Sequence, residues 1–536
     1  MWPSLWACAL ACQFDSSGHG GSGVASASSS ESGSGDATLQ PTTTASTSSA
    51  TATNGTVGTG DSDGSSSAGE GPCEPGTLGC ACNDGMCQAD LGCVDGTCVT
   101  VCGNGTLEGS EQCDPPDDGP DQGCEADCTV SPGIAALALG HDHTCGMTHD
   151  GRLRCWGNGD HGKTGHADTA NIGDNELPAT VTDVDIGGAA VAVDLGSAFS
   201  CALRRNGQVY CWGFYELGRL GLGPSVMQDI GDSESPVRAG AVPLPANVID
   251  VSVGGSHACA VIDDGAVYCW GDGNAGKLGY SATDPVGLTN TPMEQGPVPL
   301  GRVAARVAAG AGHTCVIEAV SGDVYCWGDA AQGILGNQTN NPDIGDDEPA
   351  SASTKVSLPS PAIDISAGSQ HTCVILDTGA AVCWGNGGDG RLGYGDTQDL
   401  GDNEDLMSST LDVGGAAVLR ISAGRAHTCA LLDGGDVRCW GQGAAGKLGQ
   451  GATDNLGDAA GDLPALIPSV VVDDDPTAQV LDIVAGGDHT CARLDGGRVR
   501  CWGEAAAGQL GYGTVDDIGN DPGELPSSAG DVPVGG

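Results

Sequence analysis

The sequence predicts an all-β protein: a seven-bladed β-propeller preceded by small disulfide-rich modules and a disordered tether. Three observations predict it. From Ile134 onward a unit of 56 to 62 residues recurs seven times, and a period of this size marks a repeat architecture. Each unit carries a pair of cysteines, and Trp-Gly follows the second of them. Glycine accounts for 92 of the 536 residues and aromatics for only 4%, a composition suited to short strands and tight turns rather than large helical cores.

The chain opens on Met1 to Cys12, MWPSLWACALAC. It is apolar, lacks a basic stretch and is too short for a whole signal peptide, so residues 1–12 read as a signal-peptide remnant. Cys12 follows Ala9-Leu10-Ala11 and precedes a long polar tract. This is similar to a bacterial lipoprotein cleavage site, and the resemblance implies lipidation of Cys12. Cys8 is a weaker candidate, and a plain secretory cut nearby is the alternative.

Residues 13–72 are almost entirely Ser, Thr, Gly, Ala and Asp. Without an apolar period they cannot bury a core and read as a disordered linker. A Gly/Ser-rich chain of this length spans roughly 40–45 Å root-mean-square, enough to hold a folded domain clear of a membrane or wall.

Residues 73–100 contain six cysteines, Cys73 to Cys98, spaced C-x6-C-x-C-x4-C-x5-C-x4-C. An even count in so short a span reads as three disulfides whose pairing is open. Zinc fits less well, because an oxidising compartment disfavours the free thiolates it needs. Residues 101–130 follow with Cys102-Gly103-Asn104-Gly105, Gln112-Cys113-Asp114 and the closing Cys124 to Cys128. This stretch resembles the cysteine-rich repeat of myxobacterial surface proteins, which implies a surface module.

The seven repeats occupy residues 134–536. Their cysteines pair as Cys145 with Cys155, Cys201 with Cys211, Cys259 with Cys269, Cys315 with Cys326, Cys373 with Cys383, Cys429 with Cys439 and Cys491 with Cys501. In the sixth unit Val418 to Ser422 alternates as a strand, Cys429 to Leu432 forms a second, and Val437 to Trp440 returns after the turn Asp433-Gly434-Gly435. That pairing sets Cys429 opposite Cys439, where directly opposed Cβ atoms lie about 4.5–5.5 Å apart, close enough to bridge. A loop this short contributes up to roughly 2.5–3 kcal/mol in the chain-entropy account. Unit four has one extra turn residue at Ser321-Gly322, which its turn must absorb. Three strands and a fourth from the linking segment would make each blade. The segment from Leu525 to Val534 is expected to complete the first blade and close the ring.

The pattern A-G-x-x-H-T-C-A-L, D-G-x-V-x-C-W-G and G-x-L-G resembles the regulator-of-chromosome-condensation repeat. The resemblance spans about 400 residues and implies a seven-bladed propeller.

Several motifs suggest chemistry. Gly157 to Thr164, GNGDHGKT, satisfies the phosphate-loop pattern. That loop needs a helix after it, whereas here the same stretch recurs as GDGNAGKLG and GQGAAGKLG and reads as a blade turn. His143, His257, His313, His371, His427 and His489 precede the first cysteine, with Phe199 in blade two. One copy per blade cannot converge on a metal, so each histidine is expected to hydrogen-bond within its blade. The acidic turn Asn171-Ile172-Gly173-Asp174-Asn175-Glu176 recurs as Asp229 to Glu234, Asp343 to Glu348 and Asp399 to Glu404, while blade three lacks it. Asp174, Glu176, Asp232, Glu234, Asp346, Glu348, Asp402 and Glu404 are candidate calcium ligands. The competing reading is a turn capping the next blade edge through its Ile or Leu. No other cofactor is expected.

Charge and cysteine content bound the function. Seventy acidic residues against 19 basic ones give a net charge of −51, which repels phosphate backbones, so nucleic acid is excluded as a partner. The 26 cysteines point to an oxidising compartment. No run of 18 apolar residues occurs, so a lipid anchor is the expected membrane contact. Together these features predict a monomeric, non-enzymatic binding protein on a bacterial surface or secreted, with a protein or surface ligand. The family resemblance adds two alternatives: a regulatory propeller of the guanine-nucleotide-exchange type, or an inhibitor of a secreted enzyme.

Overall fold

Each repeat folds as an antiparallel three-stranded sheet in sequential order, and the seven sheets form the blades of a ring. The computed structural model describes residues 133–338 and 342–535, together with the backbone of 92–94 and 97–99. Cys12, the linker, most of the six-cysteine module and residues 101–130 lie outside the described residues. Within the six-cysteine module, Gly92–Val94 and Thr97–Val99 pair as an antiparallel hairpin.

The innermost strands are Ile134–Leu139, Ala190–Leu195, Val248–Val253, Ala304–Ala309, Ala362–Ala367, Val418–Ala423 and Val480–Ala485. They line the axis. The middle strands each start at the histidine position, for example His143–Thr148, and the outer strands end on the Gly of Trp-Gly, for example Leu153–Gly157.

Middle and outer strands pair so that every cysteine faces its partner, and all seven expected disulfides form. Cys145 is bonded to Cys155 in blade one, Cys201 to Cys211 in blade two and Cys259 to Cys269 in blade three. Cys315 is bonded to Cys326 in blade four, Cys373 to Cys383 in blade five, Cys429 to Cys439 in blade six and Cys491 to Cys501 in blade seven. In blade four the extra residue stays in the turn, where Gly322 N–H bonds the Glu318 carbonyl, and Cys315 still opposes Cys326. The disulfides and the seven tryptophans are buried. They supply the blades' core in a chain with few other large side chains.

Among the described residues the expected fourth strand does not form. Beyond an isolated bridge at the end of the outer strand, such as Ile172 with Gly157, the linking segment gives that strand one further backbone hydrogen bond per blade, such as Val184 N–H to Leu153 O at 2.8 Å and Val242 N–H to Val209 O at 2.8 Å. Proline follows closely in several of these segments, as in Val242-Pro243 and Val298-Pro299. A residue without an N–H cannot propagate a ladder.

The C-terminal segment likewise departs from expectation. Val532 N–H bonds Val499 O at 2.8 Å, which places the tail on the outer edge of blade seven rather than in blade one. Every unit therefore contains its own inner strand and its own outer segment, and no strand is exchanged. The tail meets blade one as each outer segment meets the next blade: Ala179 N–H bonds Pro533 O, just as Val237 N–H bonds Asp185 O.

Candidate binding site

The junctions between blades explain most of the repeated motifs. The histidine of one blade hydrogen-bonds the hydroxyl beside the first cysteine of the next. His143 reaches Ser200 at 2.9 Å, His257 reaches Thr314 at 2.8 Å and His313 reaches Thr372 at 2.8 Å. His371–Thr428, His427–Thr490 and His489–Thr144 complete the set. The links thus run between blades, correcting the expectation that they lie within one. The side chain leaves the middle strand on the sheet face that packs against the neighbouring blade.

The hydroxyl has a second task. Ser200 Oγ donates to the Lys163 carbonyl at 2.8 Å, and Trp212 Nε1 donates to the same oxygen at 2.9 Å. Thr490 and Trp502 treat the Lys447 carbonyl in the same way. A hydroxyl that donates to a carbonyl accepts from the histidine, so Nε2 carries the imidazole proton. Nδ1 is buried without a hydrogen-bond partner in all six histidines. Burial pushes them far below the usual imidazole range, to about 3 for His257, His371 and His489 and about 4 for His313. In front of each ring stands a glycine. A Cβ on Gly140 would lie 2.5 Å from His143 Cε1, which accounts for the A-G-x-x-H spacing.

The phosphate-loop look-alike is a turn, with a single 3-10 turn at Asp160–Gly162. Its Lys163 is buried and paired with Asp142 at 2.7 Å. Gly157, which precedes it, has φ +103, and a Cβ there would lie 2.6 Å from the Asp142 carbonyl oxygen.

The acidic turns sit on the same end of the ring. Ile172 bridges back to Gly157 of its own blade. The following Gly173 packs against blade seven, its Cβ position 2.4 Å from the Gly508 carbonyl oxygen. Blade three keeps this turn with Val286 bridging Gly271, although it lacks the acidic pattern. Among the described residues, one trio brings carboxylate oxygens within 4.8 Å of one another: Asp346, Asp347 and Glu348. Burial and the neighbouring Asp347 raise the Glu348 carboxyl above its ordinary value. Asp174/Glu176, Asp232/Glu234 and Asp402/Glu404 form no such trio among the described residues.

A feature not anticipated from the sequence lies on the axis. The inner strands surround a cavity of about 310 Å³ whose charged lining is Asp194, Asp250, Arg306 and Asp364. Equivalent positions in the next two blades carry Arg420 and Asp482, an ion pair at 3.8 Å. Asp, Arg, Asp, Arg and Asp therefore alternate over blades three to seven, whereas blades one and two have Ala136 and Ala192 there.

These acids also join blades: Asp194 accepts Val253 N–H at 2.7 Å, and Asp250 accepts Val307 N–H at 2.8 Å. They satisfy donors on the free edge of the next inner strand, a need that open sheet edges always present. Deep in the ring, burial pushes Asp194 up to about 6 and Asp250 up to about 7, against the pull of Arg306 on the latter. Such a lining can bind charge and hold protons. The signal for it was the single charged residue breaking the apolar inner strand in blades two to seven.

Comparison with known proteins agrees with this architecture. Residues 98–460 match the family described as RCC1-like domain, and residues 480–509 match the Regulator of chromosome condensation (RCC1) repeat. The chain is 28% identical over 387 residues to the ultraviolet-B receptor UVR8 of Arabidopsis thaliana, covering 72% of this chain and 80% of that protein. It is 29% identical over 341 residues to the human E3 ubiquitin-protein ligase HERC2, covering 62% of this chain but only 6% of that protein. Among solved structures, yeast RCC1 (Prp20) bound to Kap60 superposes with a TM-score of 0.55 at 19% identity, over 80% of this chain and 90% of that one. Human WBSCR16 gives 0.53 at 18% identity, over 68% and 87%.

Proposed function

Because this chain belongs to the RCC1-like domain family, we propose that it is a binding protein that works outside the cytoplasm, presenting its propeller to a protein or surface ligand. The observation that carries this reading is the set of seven buried disulfides, one per blade. Repeated structural disulfides belong to oxidising compartments. The N-terminal segment, with its lipoprotein-like Cys12, fits display at a bacterial surface. No helix among the described residues is long and apolar enough to cross a membrane.

Protein binding is supported by related structures: yeast RCC1 was solved bound to Kap60, and Prp20p was studied for binding Gsp1p and histones. The net charge of −51 favours a cationic partner and disfavours nucleic acid. The histidines, lysines and glycines that resemble catalytic motifs are engaged in blade junctions, which supports a non-enzymatic role.

Cross-linked capture from surface fractions of the native host tests this reading. A surface or secreted partner is expected. Recovery of a small GTPase would favour the exchange-factor alternative, and loss of a secreted enzyme's activity on adding the protein would favour the inhibitor alternative.

A further inference from the structure

Seven repeats allow each blade to be measured against the other six. After the outer strand every blade makes a short turn, reading NGDH at 158–161, DGNA at 272–275, DAAQ at 329–332, NGGD at 386–389, QGAA at 442–445 and EAAA at 504–507. Blade two reads FYEL at 214–217. Aromatic and aliphatic side chains thus stand where the other blades have small or polar ones. At the second turn position a Cβ on Gly159 would lie 1.9 Å from the Ala170 carbonyl oxygen, so the packing there demands a small residue. Blade two carries Tyr215 instead, and its chain is two residues longer from Arg219 to Ile230 than blade one is from Lys163 to Ile172.

The fourth turn position is left-handed in six blades, with φ between +58 and +62 at His161, Leu217, Ala275, Gln332, Asp389 and Ala445. The same backbone geometry therefore offers a different side chain in each blade. In blade two the offered group is Leu217, 38% exposed, and Met227 on the segment that follows is 61% exposed. A firm base supports them. Phe214 stacks on His161 with ring centroids 4.1 Å apart, and the Arg219 guanidinium lies 5.0 Å from the Phe214 centroid. Asp229 holds His161 at 2.7 Å. His161 and Arg219 are thereby engaged, while Asp160 and Glu216 stand exposed beside the patch.

We propose that this turn of blade two is a docking surface for a lysine- or arginine-rich segment of a partner protein, with Leu217 receiving an apolar side chain of that segment. The inference rests on the reading of the chain as a binding protein. Charge complementarity selects the occupant: the patch is rimmed by carboxylates on a chain of net charge −51, which also repels a second copy. Phe214 is already stacked and buttressed, so apolar packing on Leu217 rather than sugar stacking is the contact on offer.

Leu217→Ala is the test variant, because Ala275 and Ala445 hold the same left-handed position in their own blades. Synthetic twelve-residue peptides with alternating lysines and one central Leu, or Ser in its place, are titrated by fluorescence anisotropy. The Leu peptide should bind the wild type about tenfold more tightly than it binds L217A, the scale of one buried aliphatic contact. The Ser peptide should show a similar loss on the wild type, and Gln332→Ala in blade four should change nothing. Equal binding of the Leu peptide by wild type and L217A overturns the proposal, as does equal binding of both peptides, which would mean diffuse charge attraction only. Capture of a surface partner equally by wild type and L217A removes this surface while leaving the binding role intact; capture by neither removes the binding role itself.

Discussion

His489 Nε2 and Thr144 Oγ1 lie 2.8 Å apart across the seam that joins the last blade to the first, 345 residues apart in the chain. The ring is closed by the same latch that joins its other blades, and no exchanged strand is needed. One junction lacks the latch. Blade two has Phe199 for histidine, and blade three has Ala258 for the hydroxyl; both are fully buried. The larger ring and the smaller partner change together, and Asp194 bridges the same two blades near the axis.

That pairing yields a transplant experiment. Thr372→Ala should cost about 1–3 kcal/mol, because His313 keeps a buried N–H with no acceptor. The double variant H313F/T372A reproduces the Phe199/Ala258 arrangement and should recover part of the loss. Guanidinium midpoints for the two singles and the double measure the coupling. Strict additivity would contradict the latch.

Acid stability follows from two opposed groups. Six buried histidines stay neutral in the folded protein but protonate when unfolded. As pH falls from about 6.5 toward their low native values, the unfolded state takes up more protons and stability is lost, by up to about 1.4 kcal/mol per histidine per pH unit. Asp194 and Asp250 act in the other sense. Held near 6 and 7, they bind protons in the fold where the unfolded chain does not, so their contribution improves as pH falls toward 4. Burial raises Asp482 in the same sense, but six histidines outweigh three carboxyls, so thermal stability should fall from pH 7 to pH 4.5. Asp250→Asn should raise stability at pH 8 and steepen the acid loss. A flat profile between pH 7 and 4.5 would show that the histidines titrate normally in the fold.

Replacing one staple, Cys429→Ala with Cys439→Ala, should lower stability by roughly 2.5–3 kcal/mol. Chemical denaturation in the absence of reductant measures it. Because both sulfurs are buried, brief exposure of the native wild type to reductant should leave the midpoint unchanged. A wild-type midpoint that falls after such exposure would place the disulfides on an accessible surface.

The acidic turn of blade four provides a simple decision. Calcium held by Asp346, Asp347 and Glu348 would raise the melting temperature over millimolar calcium, and Asp346→Asn with Glu348→Gln would abolish the rise. An unchanged melting temperature assigns the turn to packing against the neighbouring blade.

How far the sequence reveals this molecule differs by feature. The blades were legible because Cys-x9-Cys around a tight turn permits one hairpin register, and it does so alike for Cys201 and Cys211, Cys259 and Cys269, and Cys373 and Cys383. The recurrence of GKL turns disposed of the phosphate-loop look-alike. The latch was not legible, because the partner of His313 is Thr372, 59 residues away, and a repeat reveals its own spacing without saying which neighbour it faces. A signal was nonetheless present in the paired exceptions Phe199 and Ala258. The axial charges were not legible because their shared position carries opposite signs in successive blades, Asp250, Arg306, Asp364, Arg420 and Asp482, and alanine in blades one and two, with Asp194 two residues further on in blade two. The fourth strand fails where Pro243 and Pro299 follow Val242 and Val298, since a residue without an N–H cannot extend the ladder.

The central claim, a propeller stapled blade by blade in an oxidising compartment, is tested most directly by mapping cysteines in protein taken from its native host. Alkylation before any reduction, followed by peptide mass spectrometry, should leave all fourteen propeller cysteines unlabelled and recover the seven pairs from Cys145–Cys155 to Cys491–Cys501. Alkylated cysteines in those peptides, or pairs that join different blades, would contradict it.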